Sequence, residues 1–266
     1  MGPAFRTAWT VDPMTGIYSA TVRSPTGIAA DPPLTSHGTR QADELARHLL
    51  SLDPPIDTVY SSPYYRCLQT ITPFVNLKNA KILPEKGISE WFGSAPFDHP
   101  QPAPTEVLKP MFPAYCVDYV SARTPSRKGE TLPQLYERIA ATVRDIVERC
   151  DAEGKRAIVL CTHAAVVIAL GRILTGNVPE SPDVDDFQAF TCGLSVYRRK
   201  GASSGSNLAD EKLVPSATGL GLGDWTCELN SDCSFLSHGA ERGWMFSGDE
   251  SFPDTGSMSR GDEPKL

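Results

Sequence analysis

The chain has 266 residues, 40% of them hydrophobic and 21% charged, and its 25 Lys and Arg against 32 Asp and Glu leave a formal net charge of −7. A chain of this size holds one or two domains and buries a full core without metal or disulfide staples. The composition excludes a collagen, a coiled coil and a wholly disordered chain. The acidic balance argues against direct nucleic-acid binding, which needs a basic face. The longest apolar run, Ala164 to Leu170, is far below the roughly 18 residues of a membrane span, so no membrane association is expected. The opening Met1-Gly2-Pro3-Ala4-Phe5-Arg6 lacks the basic segment and apolar core of a secretory signal.

In chain order, Ala42, Leu45, Ala46 and Leu49 carry the first helical spacing. Ile56 to Tyr60 is a short β-rich run that ends in Ser61-Ser62-Pro63. Pro84 to Pro125 is Pro-rich and poorly periodic, an insertion able to wall a site. A long amphipathic helix is expected over Leu132, Leu135, Tyr136, Ile139, Val143, Ile146 and Val147. Ala157 to Cys161 is continuously apolar, as in a strand covered on both faces, and Gly193 to Tyr197 is a third strand. Strands alternating with helices predict an α/β fold with a mostly parallel sheet.

Composition changes after Lys200. Residues 1–200 read as the main domain, 201–224 as a Gly- and Ser-rich linker, and 225–266 as an extension holding Trp225, Phe235, Leu236, Trp244, Phe246 and Phe252. So many large apolar groups are expected to dock on the domain or a partner. The seven Cys read as free thiols of a reducing compartment, cytoplasmic or nuclear. Cys227, Cys233 and His238 lack the paired spacing of a structural zinc site, so no metal or other cofactor is expected.

Three segments carry the chemistry. In Ser61-Ser62-Pro63-Tyr64-Tyr65-Arg66-Cys67-Leu68-Gln69-Thr70 a strand ends and Pro63 suits the first turn of a helix. Arg66 then stands beyond the carboxyl end of the strand, where α/β sheets bind ligands. Beside free helix amides, its guanidinium can grip a phosphate bidentately; equally, it could pair with a surface acid. His163 follows the apolar Ala157 to Cys161 run in the same kind of position; a lone His is more often structural, but few stand at such a junction. Glu90, in Gly87-Ile88-Ser89-Glu90-Trp91-Phe92, stands among apolar residues, where burial would raise its pKa and let it hold a proton for a leaving group. Glu130, before the long helix, reads first as an acid favoured by the helix dipole.

Taken together these segments resemble the histidine phosphatase superfamily, which includes the phosphoglycerate mutases. Asp31-Pro32-Pro33-Leu34-Thr35 with Gly38, Gln41 and Ala42 matches the segment that opens that family's first helix. Arg66 matches a phosphate-binding Arg, His163 the family's second His, and Glu90 its acid. The resemblance covers about residues 5 to 198. It implies a three-layer sandwich, catalysis through phosphohistidine without a cofactor, and a phosphorylated small molecule or phosphoprotein as substrate. The stretch from Phe5-Arg6 to Ala30 is similar to a fungal and metazoan branch. That branch includes ubiquitin-associated phosphatases and a subunit of RNA polymerase III transcription factor IIIC.

One family feature is missing. The family begins with a buried strand ending in Arg-His-Gly, whose His is the nucleophile, and no Arg-His-Gly occurs in this sequence. Ser36-His37-Gly38 and Ser237-His238-Gly239 do not follow a buried strand. The first strand is therefore expected to be absent, and the chain is read either as an incomplete form of an enzyme or as a pseudophosphatase that serves as an interaction subunit. Without the nucleophile the chain is expected to be inactive. Ile17 to Val22 is β-prone and is a candidate to patch the gap.

Overall fold

A computed structural model describes residues 9–201 and 221–246 of the chain. Its centre is a three-stranded parallel sheet of order β4-β3-β5, built from β3 (Thr58–Ser61), β4 (Ile82–Pro84) and β5 (Ile158–Cys161). The register pairs Val59 with Ile82 on one side and with Val159 on the other. Parallel pairing needs crossovers, and helices supply them: α2 (Tyr65–Lys78) links β3 to β4, and α4 (Leu132–Ala152) precedes β5.

The helices cover both faces of the sheet. α1 (Ser36–Leu50) is capped by the Thr35 side chain, which accepts from the Gly38 amide, and it buries Gln41, Ala42, Leu45, Ala46 and Leu49 along one stripe. With α2 and α3 (Thr105–Met111) it encloses a core around Val59, Leu68, Ile71 and Ile82, against which Val159 and Cys161 pack. On the other face α4 and α5 (Ala164–Thr175) enclose Tyr60, Leu135, Ile139 and Ile173, with Ile158 and Leu160 packed against them. Thr131 and Gln134 form a reciprocal capping box at the start of α4. α5 stops at Gly176, whose φ of 77° closes the last turn in the left-handed region. The architecture is the expected mixed α/β fold with a parallel sheet and helices on both faces.

Several local expectations change. Tyr18–Ala20 (β2) pairs only with Trp9–Val11 (β1) in a separate antiparallel ribbon, so it does not patch the parallel sheet. The Pro-rich insertion is partly ordered: it holds α3 and buries Trp91, Phe92, Leu108, Phe112 and Tyr115. Beyond the Gly- and Ser-rich stretch, β7 (Trp225–Asp232) returns to pair antiparallel with β6 (Leu194–Arg199). Trp244 is buried in the α4–α5 core, Phe246 meets Trp91 edge-on at 5.5 Å, and Phe235 stacks on His48 at 4.3 Å. Phe5, Arg6 and Phe252 lie outside the described residues.

No helix among the described residues is long and apolar enough to cross a membrane. The seven cysteines are unbridged, and among the described residues no three His, Cys, Asp or Glu side chains are grouped to hold a metal.

Candidate functional site

Arg66, His163 and Glu90 converge beyond the carboxyl ends of β3 and β5. After β3 the chain turns through Ser62-Pro63-Tyr64, and α2 begins at Tyr65, which makes Arg66 its second residue. His163 is the N-cap residue of α5, two positions after β5 ends. Glu90 follows the short 3-10 turn Lys86–Ile88 of the insertion.

The contacts are close. Arg66 Nη2 donates to Glu90 Oε2 at 2.7 Å and lies 3.0 Å from His163 Nδ1. His163 Nδ1 is in turn 3.2 Å from the same Glu90 oxygen, and its Nε2 is 2.7 Å from Ser62 Oγ. Arg66 Nη1 donates to the Ala30 carbonyl at 3.0 Å and to Asp31 Oδ1 at 3.1 Å. The Tyr64 ring stands 4.9 Å from the guanidinium and edge-on to His163 at 5.3 Å. His163, Glu90 and Asp31 are buried, while the Arg66 side chain keeps 21% of its surface. Arg66, Glu90 and His163 all line a cavity of about 390 Å³. A second cavity, of about 310 Å³, lies at the opposite end of the sheet beside Asp57, Lys78 and Lys81.

Two expectations fail on electrostatic grounds. The first two amides of α2 are not free: the Tyr65 and Arg66 N–H groups donate to Asp31 at 2.6 and 3.3 Å, so a carboxylate already satisfies them. Nor is the Glu90 carboxyl raised. Burial opposes its charge, but His163 and Arg66 outweigh burial and hold it down at about 2. Conversely, burial disfavours a cationic His163, yet Cys67 and Glu90 push its pKa up to about 9. At neutral pH the empty site therefore pairs an imidazolium and a guanidinium with a carboxylate.

The motif also contained a group whose part was not read from it. Cys67 Sγ lies 3.6 Å from His163 Nε2. Burial works against a thiolate there, but Cys161, His163 and Arg66 lower its pKa well below the usual thiol range. No local pattern marks Cys67 or Ser62 as neighbours of His163, because each meets it across about a hundred residues of chain.

The remaining candidates lie elsewhere. Glu130 forms a buried ion pair with Arg138, 2.8 Å to Nη2 and 2.9 Å to Nε. His37 pairs with Glu241 at 2.7 Å, and His238 sits 5.2 Å from the His37 ring. These two histidines join the C-terminal segment to α1, away from Arg66.

Comparison with known proteins agrees with this arrangement. Residues 18–206 match the histidine phosphatase superfamily (branch 1). The chain is 35% identical over 234 residues to the transcription factor tau 55 kDa subunit of Saccharomyces cerevisiae, a match covering 83% of this chain and 53% of that protein. It is 33% identical over 166 residues to the ecdysteroid-phosphate phosphatase of Drosophila melanogaster, covering 59% of this chain and 22% of that one. The chain thus spans about half of the yeast protein and about a fifth of the fly protein. Among solved structures, YhfR of Bacillus stearothermophilus superposes with a TM-score of 0.50 at 16% identity, over 78% of this chain and 88% of that one, a likeness of fold. With a family match across most of its described sheet and helices, and with the Arg and His of two distant segments brought to one cavity, the chain belongs to the histidine phosphatase superfamily.

Proposed function

We propose that Arg66 and His163 bind a phosphoryl group and that Glu90 serves as its proton donor once the group is bound. The observation that carries this reading is the 3.0 Å contact between two cationic side chains at a cavity. Like charges are held that close where an anion is meant to join them. In the empty site Glu90 is the anion that both cations share. A phosphate dianion competing for Arg66 and His163 removes those partners and adds a like charge, and both changes raise the Glu90 pKa. The carboxyl can then protonate a leaving oxygen.

The reaction class that fits is phosphomonoester hydrolysis or transfer. In a form that carries an Arg-His-Gly strand, the His nitrogen attacks phosphorus, the N–P bond forms as the P–O bond breaks, and water later cleaves N–P. Side chains supply every step. With residues 1–266 alone, which contain no Arg-His-Gly, turnover is expected at background while phosphate binding persists. Titration calorimetry with orthophosphate tests the seat: saturable binding is expected, weakened at least tenfold by His163→Ala. Binding that survives both His163→Ala and Arg66→Lys unchanged overturns it. Fusion of an apolar strand ending in Arg-His-Gly before Phe5 is expected to confer hydrolysis of p-nitrophenyl phosphate.

A second reading is a pseudophosphatase that works as an interaction subunit in the nucleus. The similarity to a yeast transcription factor subunit along 83% of the chain favours it. Under this reading the protein at its native level in nuclear extract sediments in a large complex, and His163→Ala leaves that complex intact.

A further inference from the structure

The sheet has an opening in its plane. β5 pairs with β3 and with no other described strand, and β6 pairs only with β7, so each presents an unpaired edge. Burial records the effect. In β3 Val59, Tyr60 and Ser61 are at most 1% exposed, whereas none of the four residues of β5 is buried. Both faces of β5 are nonetheless covered: Ile158 and Leu160 pack on the α4–α5 core, Val159 and Cys161 on the α1–α2 core. The exposure of β5 therefore enters through its edge. The 390 Å³ cavity occupies this place. Val159 to Thr162 line one side of it, and Cys192 to Leu194 line the other. Leu45 and Leu49 of α1 and Ala164 and Val167 of α5 close it on the two faces.

We propose that this slot receives an extended apolar segment of a partner polypeptide by β-strand addition. The form of the occupant follows from the walls. An open strand edge offers N–H and C=O groups that only another backbone satisfies in regular register. The helix layers above and below admit the thickness of a strand, not the 10–12 Å or so of a helix with its side chains. The leucine and valine lining requires apolar side chains on both faces of the entering strand. The four residues of β5 and six of β6 set its length at about four to six. A second copy of this chain fits poorly, because its own apolar strands are already enclosed by helices on both faces. The proposal concerns the β5 edge and is independent of phosphate binding.

The probe is a fluorescent decapeptide with a Val-Ile-Val-Leu-Val core flanked by lysines, titrated into the full chain. Its twin carries N-methyl groups on alternate backbone nitrogens, which removes hydrogen-bond donors and keeps the side chains. The parent is expected to bind saturably at one site and at least tenfold more tightly than the twin. It is also expected to slow hydrogen exchange in residues 158–161 and alkylation of Cys161 by N-ethylmaleimide, read by mass spectrometry. Equal binding of the two peptides, binding without protection of 158–161, or no binding overturns the proposal. So does a chain that sediments as a dimer with those amides already protected, which assigns the slot to a second copy.

Discussion

Arg66 and Arg138 are both arginines beside a glutamate in the interior, and they differ in where their partners come from. Arg138 holds Glu130, eight residues earlier, with Nε and Nη2 on one carboxylate, and its Nη1 donates to the carbonyls of Gly87 and Ser89. Its side chain is 5% exposed. Arg66 divides its donors among Ala30, Asp31 and Glu90, touches His163, and borders a cavity. The first arrangement fastens the insertion to α4 and is closed to other ligands. In the second, one carboxylate is shared by two cations that an incoming anion can reach. A buried ion pair thus identifies a site only when its partners converge from distant segments on open volume.

Breaking the closed pair should have the largest effect. Arg138→Ala leaves Glu130 buried without its partner, and such losses cost about 3–5 kcal/mol; urea unfolding should show it. Phosphate affinity of the remaining folded protein is expected to be unchanged.

Titration addresses the open cluster. Glu90 has a folded pKa near 2 against its ordinary 4.5. It therefore adds stability above pH 4.5 that is lost as pH falls through 2, on the order of 3 kcal/mol in all. His163, raised to about 9 from 6.5, adds stability below pH 6.5 that is lost as pH rises through 9. Thermal unfolding should show a plateau between about pH 4.5 and 6.5, and Glu90→Gln should remove the acid limb. Phosphate binding is expected to fade as His163 loses its proton near pH 9. A flat profile from pH 3 to 10 contradicts the ion cluster.

Arg66→Lys keeps the charge and loses the planar fork. Orthophosphate affinity should fall about tenfold, roughly 1.4 kcal/mol, with a melting temperature close to that of the parent chain. The smallest effect is expected from Thr131→Ala. It removes the capping box beside Glu130 at about 1 kcal/mol, and combined with Arg138→Ala it tests by a double-mutant cycle whether cap and ion pair couple.

What the sequence discloses follows the range of the interactions. α1, α4, β3 and β5 are legible because their apolar spacing repeats within each segment. β7 is not, since its burial is irregular and its partner lies across the Gly- and Ser-rich stretch. α3 is hidden by Pro104 at its cap and Pro110 within it. Arg66, His163 and Glu90 could be proposed from their position after strands and turns. The direction of the Glu90 shift could not, because the cations that set it come from residues 24 and 73 positions further along the chain.

Asp31 has a consequence for how the molecule reaches this state. α2 gets no side-chain cap from its own N-cap residue, Tyr64, and its first amides are satisfied by a carboxylate more than thirty residues earlier. The start of α2 therefore cannot be completed by local chain alone. Closing that long loop costs entropy before any contact repays it, so the turn carrying Arg66 should gain its final order only after α1 has docked. A peptide of residues 58–78 would lack the cap, and the arginine's placement becomes a late signal that the two halves of the α1–α2 layer have met.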